Sequence, residues 1–218
     1  MTYTVQSGDT MWGIARRFGI TLKKLLDANP QISTPDLIYP GQIINIPSAP
    51  PRKDIFRAPE PYPEVRVEGK NTVYAMILRK DYAGPVSEIS AVMQYLYHHL
   101  EMEQIPGWQE VSELEKGISI VEMYHMEILG QILILLGTTP RYEADNKLWT
   151  PAYVAYCDFD PCAQLRADIQ GEREAIAQYE KHIREINDRY IQAILHRIIK
   201  DEQHHIQLLS DALAKQCV

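Results

Sequence analysis

Two stretches decide the fold: Ile118-Ser119-Ile120-Val121-Glu122-Met123-Tyr124-His125-Met126-Glu127-Ile128-Leu129 and Ile198-Ile199-Lys200-Asp201-Glu202-Gln203-His204-His205-Ile206-Gln207-Leu208-Leu209. In both, apolar residues recur at three- and four-residue spacing, the period of a helix with one buried face. Ile118, Val121, Leu129 and Leu133 define the inward face of one helix, and Leu195, Ile198, Ile199, Ile206 and Leu209 that of another. Glu122 and His125 fall on the first face, one turn apart. Glu202 and His205 fall on the second at the same spacing.

The same pattern extends outward. Pro85-Val86-Ser87 opens a helix predicted to reach about Glu103, and a second runs from Gln109 to Leu136 and stops at Gly137. A mixed connection, Thr138 to Phe159, follows. Asp160-Pro161 starts a capped third helix reaching Ile186, and Asn187-Asp188 opens a fourth that continues to about Ala214. Two helical pairs separated by one long crossover predict a mostly α four-helix bundle. Glu172 interrupts the apolar stripe of Leu165, Ile169, Ile176, Tyr179 and Ile183 on the third helix. Glu88 precedes Ala91, Val92 and Tyr95 by one and two turns on the first.

Four helices thus each aim a carboxylate inward, and two add a histidine. This is the pattern of dimetal carboxylate bundles. An ionised carboxylate in an apolar core costs several kcal/mol when unpaired, and no lysine or arginine shares these stripes. Two divalent cations supply the four positive charges that four glutamates require, and neutral imidazoles add none. Glu88, Glu122, His125, Glu172, Glu202 and His205 are therefore the expected ligands of two Mn or two Fe ions, the metals suited to such donors. Glu127 and His204 lie off the inward face. His98, His99, His182 and His196 lack partner spacing and read as surface or packing residues, as do Met123 and Met126. Tyr95 and Tyr179 lie near the expected metals and read as core packing, with a redox role as the alternative.

The remaining chain divides at its prolines. Six of the 14 lie between Pro47 and Pro63, so residues 49–65 read as a stiff linker between a module at 1–48 and the bundle at 66–218. The first 50 residues carry four basic and three acidic side chains, a net of +1; residues 66–218 carry 15 basic and 23 acidic, a net of −8. With 218 residues, 45% hydrophobic and an overall charge of −7, the composition is globular and argues against a nucleic-acid partner. No uninterrupted apolar run is long enough to span a bilayer, and neither a membrane association nor a signal peptide is expected. Cys157, Cys162 and Cys217 are expected to be free thiols.

In the first module, Tyr3-Thr4-Val5 reads as a strand, Met11 to Phe18 as a helix ended by Gly19, Leu22 to Ala28 as a helix capped by Thr21, and Ile43 to Ile46 as a second strand. The order is βααβ. Its expected core is Val5, Trp12, Ile14, Ala15, Phe18, Leu25, Leu26 and Ile44. The run YTVQSGDTMWGIARRFGITLKKLLDANPQI followed by IYPGQIINIP resembles a LysM domain over residues 2–47. That resemblance implies binding of peptidoglycan or another N-acetylglucosamine glycan. The implied groove lies between Gly8, Asp9, Thr10 and Met11 on one side and Asn29, Pro30 and Ile32 on the other.

The blocks DYAGPVSEISAVMQYL, VEMYHMEILG, GEREAIAQYE and KDEQHH resemble the ferritin-like superfamily, nearest to manganese catalases and rubrerythrin-like proteins. By that resemblance Glu88, Glu122, His125, Glu172 and His205 match metal ligands. Glu202 is a ligand in di-iron relatives and stands beside the metals in manganese ones, where it is the candidate catalytic carboxylate. Rubrerythrins carry paired Cys-x2-Cys motifs for electron delivery, which this sequence lacks. The expected function is removal of hydrogen peroxide by disproportionation. The alternative is a non-catalytic metal-binding or storage protein, or a ferroxidase using oxygen, anchored to glycan. The resemblance places it at a cell wall or at the spore coat or cortex, with the cytoplasm as alternative, and a homo-oligomer is expected.

Overall fold

In the computed structural model, residues 2–18, 20, 22–32, 34, 37–47 and 55–217 are described. Gly19, Thr21 and linker residues 48–54, to which the sequence assigns a stop, a cap and a tether, lie outside them. The chain forms two compact units, Met1–Ile55 and Phe56–Val218.

The first unit is built as β1 (Thr2–Thr4), α1 (Met11–Arg17), α2 (Leu22–Asp27) and β2 (Ile43–Asn45). The strands pair antiparallel with Tyr3 opposite Ile44. Val5, Met11, Ile14, Ala15, Leu25, Ile44 and Ile46 are buried between sheet and helices. Trp12, expected in this core, is 58% exposed. The neighbouring Met11, one position back on the helix, takes the inward place.

The second unit contains α3 (Thr72–Ala83), α4 (Glu88–Met102), α5 (Gln109–Leu135), a hairpin of β3 (Glu143–Ala144) and β4 (Lys147–Leu148), α6 (Pro161–Glu185) and α7 (Arg189–Gln216). Helices α4 and α5 pair, as do α6 and α7. The capping residues explain the boundaries. Ser87 accepts from Ser90 N, Asp160 from Cys162 N and Ala163 N, and Asp188 from Tyr190 N and Ile191 N. Helix α5 has the length and apolar content of a membrane span. Its middle carries Glu122 and His125, and it serves as a core helix of the bundle.

Helix α3 goes beyond the expected four. Asn71 caps it, accepting from Val73 N and Tyr74 N, and Ala75, Leu78 and Tyr82 join the core. Its Asp81 is buried against His182 of α6, Oδ2 to Nδ1 2.8 Å. Of the four histidines read as surface or packing residues, His98, His99 and His182 are enclosed and hydrogen-bonded, and His196 is exposed.

The crossover is more ordered than its composition suggests. Asp145 and Asn146 form the hairpin turn at positive φ (49° and 60°), and Trp149 Nε1 donates to Ser90 Oγ of α4 at 2.9 Å. Cys162 and Cys217 are joined by a disulfide, against the expectation of free thiols; Cys157 remains free. The bond links the start of α6 to the end of α7, which an antiparallel pair brings together.

The stretch read as linker also needs correction. From Phe56 onward it belongs to the bundle unit. Ala58 N donates to Asp201 at 2.7 Å, and Arg197 donates to the carbonyls of Glu60 and Ala58 at 2.6 and 2.8 Å. The Phe56 ring lies where a side chain at position 117 would be: a Cβ on Gly117 would stand 2.4 Å from it.

Candidate metal centre

The bundle's apolar interior is split into two clusters. One contains Ile128, Leu129, Ile194 and Ile198, the other Met102, Ile118, Leu165 and Leu209. Between them lies a polar layer. Glu88 from α4, Glu122 and His125 from α5, Glu172 from α6, and Glu202 and His205 from α7 are all buried there, none more than 4% exposed. The structure therefore brings together all six residues singled out by spacing.

Their donor atoms form two overlapping groups. One is Glu88, Glu122, His125 and Glu202; the other is Glu122, Glu172, Glu202 and His205. His125 Nδ1 stands 3.3 Å from Glu202 Oε1, 3.4 Å from Glu122 Oε2 and 3.5 Å from Glu88 Oε2. His205 Nδ1 stands 3.0 Å from Glu122 Oε1, 3.0 Å from Glu202 Oε2 and 3.1 Å from Glu172 Oε1. Glu122 and Glu202 thus give one oxygen to each group. Glu88 and Glu172 serve one group each.

A single imidazole nitrogen cannot donate to three carboxylates at once. Glu88 Oε2, Glu122 Oε1 and Glu202 Oε2 have no hydrogen-bond partner despite full burial. Glu122 Oε1 in particular is close to His205 but off the angle a hydrogen bond needs. Such atoms converge on a point between them, and they fit a pair of divalent cations bridged by two carboxylates. Neutrality agrees, since nearby Asp201 is matched separately by Arg197 at 2.7 Å. That arginine is buried, and with Asp201 as its partner it does not compensate the four glutamates.

The surroundings set the histidine tautomers. His205 Nε2–H donates to the Phe56 carbonyl at 2.9 Å, which leaves the Nδ1 lone pair for the carboxylate side. His125 Nε2 meets Asp201 Oδ2 at 3.0 Å and Tyr62 Oη at 2.8 Å, and Tyr62 also donates to Asp201. Tyr95 donates to Glu172 Oε1 at 2.5 Å and Tyr179 to Glu88 Oε1. The two tyrosines assigned to packing therefore also orient the two unshared carboxylates.

Electrostatics follow. Burial and the Glu122 charge hold Glu88 well above the usual carboxylate range. Burial with the Glu202 and Glu122 charges pushes Glu172 up to about 8. Burial opposes protonation of both imidazoles, but the surrounding carboxylates outweigh it and raise both His125 and His205. For Glu122 burial is overridden by His125 and His205, which hold it low. Without cations, protons do part of their work.

A cavity of about 290 Å³ reaches the layer. Glu88, Glu122, Glu172 and Glu202 form its inner wall, and Gln94, Tyr153, Ala155 and Asp168 part of the rest. The crossover is fastened there: Ala155 N donates to Gln94 Oε1, and Gln94 Nε2 to Asp168 Oδ1, both at 2.8 Å.

In the first unit, Gly8, Thr10 and Pro30 are exposed, and Asp9 and Ile32 half-buried. Met11 and Asn29 are buried, which corrects their reading as contact side chains. Met11 fills the core, and the Asn29 amide bonds Leu25 O at 2.7 Å, Asn45 O at 2.6 Å and Asn45 N at 2.7 Å. Asp9 is occupied by Tyr3 Oη and Gln6 N. A cleft of about 340 Å³ is lined instead by Gln31, Ile32, Thr34, Leu37, Tyr39 and Gln42. Of these only Ile32 was named from sequence. The exposed Leu37 and Tyr39 in a polar loop were the available signal.

Asp201, Tyr62 and Phe56 were also missed. Asp201 sits one residue from the inward stripe, and the strand of chain that buries it is distant in sequence.

Residues 3–47 match the LysM domain family, and residues 86–216 the ferritin-like domain family. A probable manganese catalase of Clostridium acetobutylicum is 28% identical over 174 residues, 70% of this chain and 75% of that one. A crystal structure of a manganese catalase from Anabaena PCC7120 superposes with a TM-score of 0.65 at 22% identity, over 72% of this chain and 78% of that one. The spore coat assembly protein ExsA of Bacillus cereus is 48% identical over 46 residues, 21% of this chain and 7% of that one.

Proposed function

Because this chain belongs to the ferritin-like domain family and carries a LysM domain ahead of it, we propose that it is a glycan-anchored dimetal enzyme that disproportionates hydrogen peroxide. The observation that carries the reading is the convergence of each histidine Nδ1 on three buried carboxylate oxygens, with Glu122 and Glu202 shared between the two groups. Glu88, Glu122, His125, Glu172, Glu202 and His205 would hold two Mn or two Fe ions. When bound, the pair supplies two-electron exchange with peroxide, so that two peroxide molecules yield one oxygen molecule and two waters.

The chain's own residues do the rest. The cavity has room for a molecule of peroxide's size at the carboxylate wall. Tyr95 and Tyr179 fix the two unshared carboxylates. Glu202 faces the cavity with Oε2 free of a hydrogen-bond partner, and in the arrangement where it stands beside the metals instead of ligating them we assign it to accept and return the substrate proton. Disproportionation needs no external reductant, which agrees with a sequence holding only three cysteines and no Cys-x2-Cys pair. The kinship with manganese catalases supports the same reaction.

The test is oxygen evolution from peroxide by protein loaded with Mn(II) or with Fe(II). Evolution with either metal, lost in Glu202→Gln, is expected; no turnover with either overturns the reading. The sharing of Glu202 between both groups also favours a second reading, a ferroxidase. In that case Fe(II)-loaded protein would consume oxygen and evolve none from peroxide.

The LysM unit would hold the enzyme on peptidoglycan or another N-acetylglucosamine glycan through the cleft at Ile32, Leu37 and Tyr39. A cell wall or spore surface is the corresponding place. The similarity to a spore coat assembly protein and the disulfide, a bond that persists in oxidising surroundings, support it. Fluorescent fusions confined to the cytoplasm throughout sporulation would overturn this.

A further inference from the structure

Asp168 lies one turn before Glu172 on α6, and Glu115 two turns before Glu122 on α5, so the stripes that bear the metal centre continue below it. His98 of α4 faces both. The three offer ligand atoms that all lie within 4.8 Å of one another, and all three side chains are buried. Glu115 is wholly enclosed, and neither of its oxygens has a hydrogen-bond partner.

His98 is set as a ligand would be. Its Nε2–H donates to the Ala155 carbonyl at 2.8 Å, just as His205 donates to Phe56, and its Nδ1 meets Asp168 Oδ2 at 2.8 Å across a proton that a bound cation would displace. A nitrogen–oxygen edge of about 3 Å is what two donors on one first-row ion subtend at the usual bond lengths. Asp168 is held in place through its other oxygen by Gln94. With a neutral imidazole, Glu115 and Asp168 leave two negative charges, which one divalent cation cancels. Protons on His98 and Glu115 would balance the same two charges, but they would leave both buried Glu115 oxygens without a hydrogen-bond partner.

We infer that His98, Glu115 and Asp168 form a third cation site, separate from the dimetal centre, that takes one divalent first-row metal ion. Asp168 lines the same cavity as the four glutamates, so the ion has a path to it.

Mn(II) is the probe. Full-length protein loaded anaerobically, desalted and measured by elemental analysis should hold three Mn per chain. Glu115→Gln should hold two, and Glu122→Gln, which removes a ligand shared by both dimetal groups, should hold one. Two Mn in the native chain, or an unchanged count in Glu115→Gln, overturns the third site. A Glu122→Gln protein that loses no metal speaks against the dimetal reading and leaves this inference standing. Anomalous scattering from crystals of native protein grown with Mn(II) needs no variant. A peak between His98 and Glu115 supports the site, and its absence beside a filled dimetal centre refutes it.

Discussion

Tyr62 touches no expected metal position, yet its hydroxyl stands against both His125 Nε2 and Asp201. Removing a group that orients a ligating histidine typically costs about 10- to 100-fold in metal affinity. Tyr62→Phe should weaken Mn(II) binding by that order in a chelator competition while leaving the helical circular dichroism signal intact. The ligands themselves predict a pH dependence. Glu88, Glu172, His125 and His205 are all raised, so near neutrality and without cations they hold protons that a metal must displace. Mn(II) loading should therefore release protons, and the apparent affinity should rise as the pH passes through about 8, where Glu172 gives up its proton. Titration in two buffers of different ionisation enthalpy, together with the affinity at each pH, checks both. At this scale the six clustered carboxylate and imidazole residues were legible because each interrupts an apolar stripe at helical spacing. Asp201 was not, since a residue one step off the stripe is normally solvated, and here a distant segment covers it.

Among the elements, α4 to α7 could be read almost to their ends because Ser87, Asp160-Pro161 and Asp188 are strong start signals. Helix α3 was hidden: it is short, and its buried Asp81 breaks the apolar pattern that would have marked it. The opposing His182 and Gln178, on a helix far along the chain, make that aspartate tolerable. The disulfide was equally unreadable, because connectivity follows from which helix ends meet. It closes a sequence separation of 55 residues across the α6–α7 pair. Loop-closure entropy at that length is worth about 4 kcal/mol. Reduction, or Cys162→Ser, should therefore lower the melting temperature by roughly 10 °C. Thiol titration of unfolded protein should find one cysteine before reduction and three after.

For the whole molecule, the two functions should separate by mutation. Tyr39→Ala, on the surface of the cleft, should reduce retention on peptidoglycan roughly tenfold, the scale of losing an aromatic anchor, and leave the metal content unchanged. Asn29→Ala is the wrong probe, because that amide ties α2 to β2 and its loss would unfold the unit. Proline content suggested where one unit gives way to the next, but it misjudged the extent of the tether. Side chains that suit an exposed extended segment, such as those of Arg57 to Tyr62, serve equally well as a strap over a bundle.

That strap decides how the bundle unit can be produced alone. A recombinant fragment begun at residue 66, where composition invites the cut, would lose the Phe56 carbonyl, the Tyr62 hydroxyl and the backbone that hydrogen-bonds Arg197 and Asp201. It should fold into helices, purify nearly devoid of manganese, and be mistaken for an inactive protein, whereas a fragment begun at Phe56 should retain its ions.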